Sequence, residues 1–183
     1  MEATRLKELY NKQLRSELKK DLGLSNIMEV PRLEKVVLNV GVRDAVSDAK
    51  SLQAVVDVVK KVSGQAPIKT KARKSIAAFK LREGMPIGVK VTLRGNRMYE
   101  FVDRLVSLAL PKMRDFQGIT RKLDGRGNYN LGIKEWTLFP EVDFDEAKSL
   151  KQGLNITFHT SAKTDDQALA LLKGLGLPFK KDK

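Results

Sequence analysis

His159, in the stretch LNITFHT, is the only histidine of the chain, and cysteine is absent. One imidazole cannot make a multi-histidine metal centre and is a thin basis for a serine–histidine triad. His159 therefore reads as a structural or surface residue of a strand. Without thiols there are no disulfides, thiolate zinc sites or cysteine nucleophiles. The acidic stretch EVDFDE places Glu141, Asp143, Asp145 and Glu146 close together. Such carboxylates could pair for acid–base work or hold magnesium. They follow Pro140, however, and acids in a first helical turn already suit the helix dipole, so a helix start is the simpler reading.

Phosphate loops fare no better. GNYNLGIK, residues 127–134, spaces two glycines as a Walker loop does, but Ile133 stands where the lysine is required. DGRGNYN, residues 124–130, reads as a glycine-rich turn carrying one arginine. The aromatic-rich signature of an RRM is missing, and no two glycines are spaced as the GxxG of a KH loop. With aromatics at 6%, stacking on a broad aromatic platform is not the main mode of any RNA binding.

Charge is the stronger signal. From Lys69 to Arg82, both included, there are six basic side chains and no acidic one, interrupted by Ile76, Ala77, Ala78, Phe79 and Leu81. That run is too apolar for a disordered tail and too charged for a buried strand. Gly84 and Gly88 supply tight bends beside it, so a β-hairpin with a cationic, partly apolar tip fits. The whole chain carries 35 cations against 22 anions, a net charge of +13. A polyanionic partner is the simplest reason to tolerate such self-repulsion. Nucleic acid comes first; an anionic membrane surface comes second and lacks its amphipathic anchor. No apolar run approaches the roughly 18–20 residues that span a bilayer. MEATRLKELY has no apolar core and is neither a secretory signal nor an acid-poor transit peptide. A soluble, cytoplasmic protein is expected.

The elements that would position these residues alternate between strand and helix. Residues 4–20 carry Leu6, Leu9, Tyr10, Leu14 and Leu18 at helical spacing. LEKVVLNV, 33–40, reads as a strand with Val36, Leu38 and Val40 on one face and Lys35, Val37 and Asn39 on the other. A helix over 47–62 is capped by Ser47, and its stripe is Leu52, Val55, Val56, Val59 and Val62. Short strands at 66–71 and 75–81 flank the basic run. PIGVKVTLR, 86–94, alternates cleanly: Ile87, Val89, Val91 and Leu93 oppose Gly88, Lys90, Thr92 and Arg94. A helix over 97–110 is capped by Asn96, ends at Pro111, and buries Met98, Phe101, Val102, Leu105, Leu108 and Ala109. Residues 111–131 show no period. Strands return at 133–139 and 154–160, and a last helix opens at Thr164 with Gln167 completing a capping box. The tail, 179–183, is expected to fray.

This order predicts one α+β domain over 1–183. It is a two-layer sandwich: a mainly antiparallel sheet of about five strands, helices on one face, and a protruding basic hairpin. Strands buried on both faces would read as continuous apolar runs, and these alternate. The uncovered face would carry Lys35, Asn39, Lys90, Thr92 and Arg94 toward a folded RNA. On the residues alone, a magnesium-dependent RNA-processing enzyme using Glu141–Glu146 and a general RNA chaperone stay open.

The series PRLEKVVLNVG, SGQAPIKTKARKSIAAFKLREGMPIGVKVTLRG, RMYEFVDRL, ALPKMRDFQG and DGRGNYNLGIKE, then FPE, resembles the family of the bacterial large-subunit ribosomal protein number five. The resemblance runs from about residue 5 to Lys181. It implies a non-catalytic structural constituent of the large ribosomal subunit, without cofactor or metal. This constituent binds 5S rRNA in the central protuberance beside 23S rRNA and other proteins. The family's polar RNA-contacting cluster falls on Asn39, Gln65 and Thr92, so the expected rRNA-binding set is these three with Lys35, Lys69, Lys90 and Arg94. The hairpin residues Lys71, Arg73, Lys74, Ser75, Lys80 and Arg82 resemble the loop that reaches P-site tRNA. Residues 111–131, with Arg114, Asp115, Phe116, Arg121, Lys122 and Arg126, resemble the bridge to the small-subunit head protein thirteen. One departure stands out: the family pattern Asn-x-Gly-x-Gly reads NVGVR here, with Arg43 in place of the second glycine. Arginine disfavours positive φ, so the turn is expected to be rebuilt and a cation gained.

Overall fold

The computed structural model describes residues 4–46, 48–114, 116–150 and 152–180. Its five strands are β1 (Leu33–Gly41), β2 (Ile68–Lys71), β3 (Pro86–Leu93), β4 (Tyr129–Ile133) and β5 (Leu154–Thr160). They form one open antiparallel sheet in the order β2-β3-β1-β5-β4. The helices are α1 (Arg5–Leu9), α2 (Arg15–Asp21), α3 (Ala49–Ser63), α4 (Gly95–Arg104), α5 (Phe144–Ser149) and α6 (Asp165–Gly174). This is an α+β fold. Contacts divide the chain into two compact units. One holds Met1–Val36, Arg94–Leu131 and Thr157–Lys183; the other holds Val37–Leu93 and Gly132–Ile156.

In the second unit the alternation of the sequence becomes burial. Leu38, Val40, Val89, Val91 and Leu93 are almost completely buried, while Val37, Asn39, Lys90 and Thr92 keep solvent access. Helix α3 covers the buried side through Leu52, Val55, Val58, Val59 and Val62. Val58 takes the place expected for Val56, because the stripe wraps around the 3.6-residue period instead of following its axis. The helix begins one turn position later than expected. Asp48 is its cap, accepting a hydrogen bond from Lys50 N–H at 2.9 Å, and Ser47 lies outside the described residues. Gly64, at φ +65°, closes it in the left-handed conformation that glycine adopts without strain.

In the first unit, residues 5–21 run as α1, a π turn over Tyr10–Leu14, and α2, burying Leu6, Tyr10, Leu14 and Leu18. Helix α4 continues into a second π turn, Leu105–Ala109, before Pro111 enters a 3₁₀ turn. Asn96 is not a cap: its side chain accepts from Lys7 Nζ at 2.9 Å. Leu108 is exposed, since the π turn rotates the stripe past it. Helix α6 starts after Thr164, which makes no side-chain cap, while Gln167 reaches back to Lys163 N–H at 3.1 Å.

Three further expectations shift. Residues 75–81 are not a strand; Ile76 and Leu81 make a single bridge around a 3₁₀ turn at Ala77–Phe79. The strand expected at 133–139 lies at Tyr129–Ile133, and Trp136–Leu138 is a 3₁₀ turn. The tail is docked as far as it is described. Ile119 N–H donates to Pro178 O at 2.8 Å, Lys180 N–H to Ile119 O at 2.9 Å, and Phe179 packs edge-on against Tyr129. Residues 181–183 lie outside the described residues.

Candidate nucleic-acid interface

The open sheet face of the second unit is set by strand register. β2 pairs antiparallel with β3 so that Ile68 faces Lys90 and Thr70 faces Gly88. Residues directly opposite share a face. Ile68, Thr70, Lys90 and Thr92 therefore line the side opposite the buried valines, and Asn39 on β1 joins them by its own alternation. Gly88 is required here. A Cβ at that position would come within 2.8 Å of both Thr70 Oγ1 and Val40 O. Gln65 is brought to this row by the turn after α3. The buried Ser63 Oγ donates to Gln65 O at 2.9 Å and accepts from its N–H at 3.2 Å, and Gln65 Nε2 donates to Thr92 O at 3.3 Å. Asn39, Gln65, Lys90 and Thr92 thus form one hydrogen-bonding surface within one compact unit.

Lys69 does not belong to it. Its register partner is the buried Val89, so its side chain leaves on the helix side, where Nζ donates to Gln53 Oε1 of α3 at 3.0 Å. Lys35 keeps the phase of Asn39 along β1; it and Arg94 lie in the first unit. Sequence reasoning passed over Asn155 on β5, exposed between the buried Leu154 and Ile156. The alternation of LNITFHT already carried that signal. His159 falls on the same phase of β5.

Beyond β2 and β3 the basic run folds out as a two-armed finger. Ala72 N–H donates to Met85 O at 2.8 Å, Glu83 N–H to Ser75 Oγ at 2.9 Å, and Ile76 and Leu81 exchange both backbone hydrogen bonds. Lys71, Arg73, Lys74, Lys80 and Arg82 are exposed around it, as are Ile76 and Phe79. Lys80 is the only described non-glycine residue at positive φ, +52°, closing the 3₁₀ turn at the tip. Arg43 needs no such conformation: it opens a 3₁₀ turn over Arg43–Val46 at ordinary negative φ, which resolves the missing glycine.

The long loop of the first unit presents Arg114, Lys122 and Arg126 to solvent, with Phe116 and Arg121 half-buried. Asp115 lies outside the described residues. The turn at 124–128 is tied down by carboxylates at both ends. Asp124 accepts from Arg126 N–H at 2.8 Å and Asn128 N–H at 2.9 Å, and Asp165 accepts from Gly125 and Gly127 N–H at 3.1 and 3.0 Å.

The acidic stretch is structural. Asp143 stands at the N-terminus of α5 with Asp145 and Glu146 in its first turn, and Lys61 Nζ bridges Asp143 at 3.3 Å and Glu146 at 2.8 Å. The Lys61 ammonium is held above the usual lysine range, first by its hydrogen bond to Glu146. Among the described residues, no helix is long and apolar enough to cross a membrane.

The chain is similar to known proteins over nearly its whole length. Residues 26–82 match the family described as "Ribosomal protein L5", and residues 86–179 match the model of that ribosomal family's C-terminus. The large ribosomal subunit protein uL5 of Geobacter sulfurreducens is 54% identical over 177 residues, covering 96% of this chain and 98% of that protein. The protein of the same name from Anaeromyxobacter sp. strain K is 54% identical over 179 residues, covering 97% and 99%. That of Francisella tularensis subsp. novicida is 54% identical over 177, covering 96% and 98%. Two consecutive family matches and relatives of this identity over nearly the full length leave one conclusion: the chain belongs to the ribosomal protein L5 family, whose members are structural and not enzymes.

Proposed function

We propose that this protein is a structural constituent of the large ribosomal subunit that binds 5S rRNA through the open sheet face. The observation that carries the reading is the uncovered row Asn39, Gln65, Lys90 and Thr92, with the buried valines on the opposite side. Amide, hydroxyl and ammonium groups on an open sheet surface suit the sugar edge and phosphates of a folded RNA, which is recognised chiefly by shape and backbone. The finger extends from this frame, in the same compact unit. The finger, with Lys71, Arg73, Lys74, Ser75, Lys80 and Arg82, is assigned to P-site tRNA. The loop carrying Arg114, Arg121, Lys122 and Arg126 is assigned to the small-subunit head protein thirteen. Neighbouring 23S rRNA and central-protuberance proteins complete the setting.

Filter binding to 5S rRNA tests the central claim. Asn39→Ala and Thr92→Ala each remove a surface hydrogen-bonding group, at a cost of about 1 kcal/mol, and should weaken 5S binding roughly fivefold without unfolding the chain. Equal affinity of the parent protein for 5S rRNA and an unrelated folded RNA would sink the assignment. Charge reversal at Lys71, Arg73 and Lys74 should leave 5S binding nearly intact and impair tRNA contact.

A further inference from the structure

A groove of about 700 Å³ opens between the exit turn of β1 and the finger tip, inside the second unit. Its walls are largely apolar, formed by Val42, Phe79, Leu81 and Ile87 among others, and its two charged lining residues, Arg43 and Lys80, are both cations. The volume is that of a small-ligand site. Phe79 leaves 71% of its surface in water, an unusual place for a phenyl ring. Lys80 closes the 3₁₀ turn at the tip in the left-handed conformation, its N–H bonded to Ala77 O, which sets it on the rim of the groove.

We propose that this groove takes a single unstacked nucleobase of an RNA, seated against the Phe79 ring, with the adjoining phosphate between Arg43 and Lys80. A base has a flat apolar face for the ring and walls, and its phosphate supplies the charge that both cations lack. Stacking on one aromatic side chain is indifferent to base identity, which suits a finger meeting an unpaired position. A guanidinium can fork onto two phosphate oxygens, so Arg43 is more than a replacement for glycine. The proposal rests on the reading of an RNA partner but not on that partner being 5S rRNA. The residues concerned are separate from Asn39, Gln65, Lys90 and Thr92.

The test is an NMR titration of the full chain with pentaadenylate, with inorganic phosphate as control and 5S filter binding run on the same proteins. Pentaadenylate should shift the amides of Val42, Arg43, Phe79 and Lys80, and inorganic phosphate should leave Val42 and Phe79 unmoved. Phe79→Leu keeps an apolar side chain, removes the ring and touches no core contact. It should weaken pentaadenylate about tenfold, the scale of base–aromatic stacking, while 5S binding is unchanged. Arg43→Gly should weaken the oligonucleotide and leave uncharged adenosine unaffected. Shifts confined to the sheet face, or undiminished binding by Phe79→Leu, would overturn the proposal. So would a groove that binds an apolar dye and ignores pentaadenylate, which would point to a protein partner. Loss of 5S binding in the parent chain, with these shifts present, would instead remove the 5S assignment and leave the groove standing.

Discussion

Tyr99 shows how one buried residue writes a pH dependence into the fold. It lies in α4 with 7% of its surface exposed, and burial pushes its phenol up to about 12, with the neighbouring Tyr10 adding to the rise and Arg32 opposing it. In the unfolded chain the same phenol titrates near 10. The folded value is raised, so the contribution is fully present below pH 10 and is lost as pH climbs toward about 12. Across that window the unfolded chain releases a proton that the folded one keeps. Tyr99→Phe removes the titration. Urea unfolding at pH 9 and pH 11.5 should show the parent losing on the order of 1–2 kcal/mol more than Tyr99→Phe between the two conditions. An equal loss in both would show that Tyr99 is not the group responsible. At this same scale the sequence told which residues of β1 and β3 are buried, because alternation is a local property of an extended chain. It could not tell that Lys69 turns toward α3. A four-residue strand has too few side chains to declare its phase, and the partner register decides it: Lys69 opposite Val89.

Among the elements, the turn at 124–128 is the one most dependent on a distant residue. Asp165, in the first turn of α6, accepts hydrogen bonds from Gly125 and Gly127, while Thr160 Oγ1 donates to Gly127 O at 2.7 Å. Gly127, at φ +77°, leaves no room for a side chain, since a Cβ would come within 2.8 Å of Ala162 O. Asp165→Ala deletes a charged acceptor of two backbone donors and an acid favoured by the α6 dipole, a loss of roughly 1–3 kcal/mol. Amide exchange at Gly125 and Gly127 should speed up while the β3 amides keep their protection; unchanged exchange at the turn would refute the clip. Acid should loosen the same turn. The Asp124 carboxyl is held below its ordinary value, chiefly by the Asn128 side chain, so its contribution is lost only as pH falls beneath the usual carboxylate range. None of this was legible in DGRGNYN, whose partner lies about forty residues on. The misplaced strand at 133–139 has the same origin: Tyr129 is buried through Phe158 and Phe179, contacts that no local period announces. The finger was readable because its charge and glycines are local; its single Ile76–Leu81 bridge was not, being too short to make a period.

For the molecule as a whole the decisive quantity is a net charge of +13. Among the described residues, the ion pairs Arg5–Asp103, Lys12–Glu8 and Lys61 with Asp143 and Glu146 involve none of the finger's cations. Like charges held this close repel, and the repulsion is relieved when phosphates arrive. Each phosphate neutralised releases condensed counterions, so the logarithm of affinity should fall linearly with the logarithm of salt, by about 0.7–0.9 per contact. The sheet face and the finger can therefore be counted separately. Replacing Lys71, Arg73 and Lys74 with glutamine should flatten the salt slope by roughly 2–3 for tRNA, the ligand assigned to the finger. The slope for 5S rRNA, assigned to the sheet face, should not change. Lys90→Gln should do the reverse, lowering the 5S slope by nearly one and sparing the tRNA slope. If all four substitutions flattened both slopes alike, the cations would be acting as one diffuse field, and the division of labour between sheet face and finger would have to be given up.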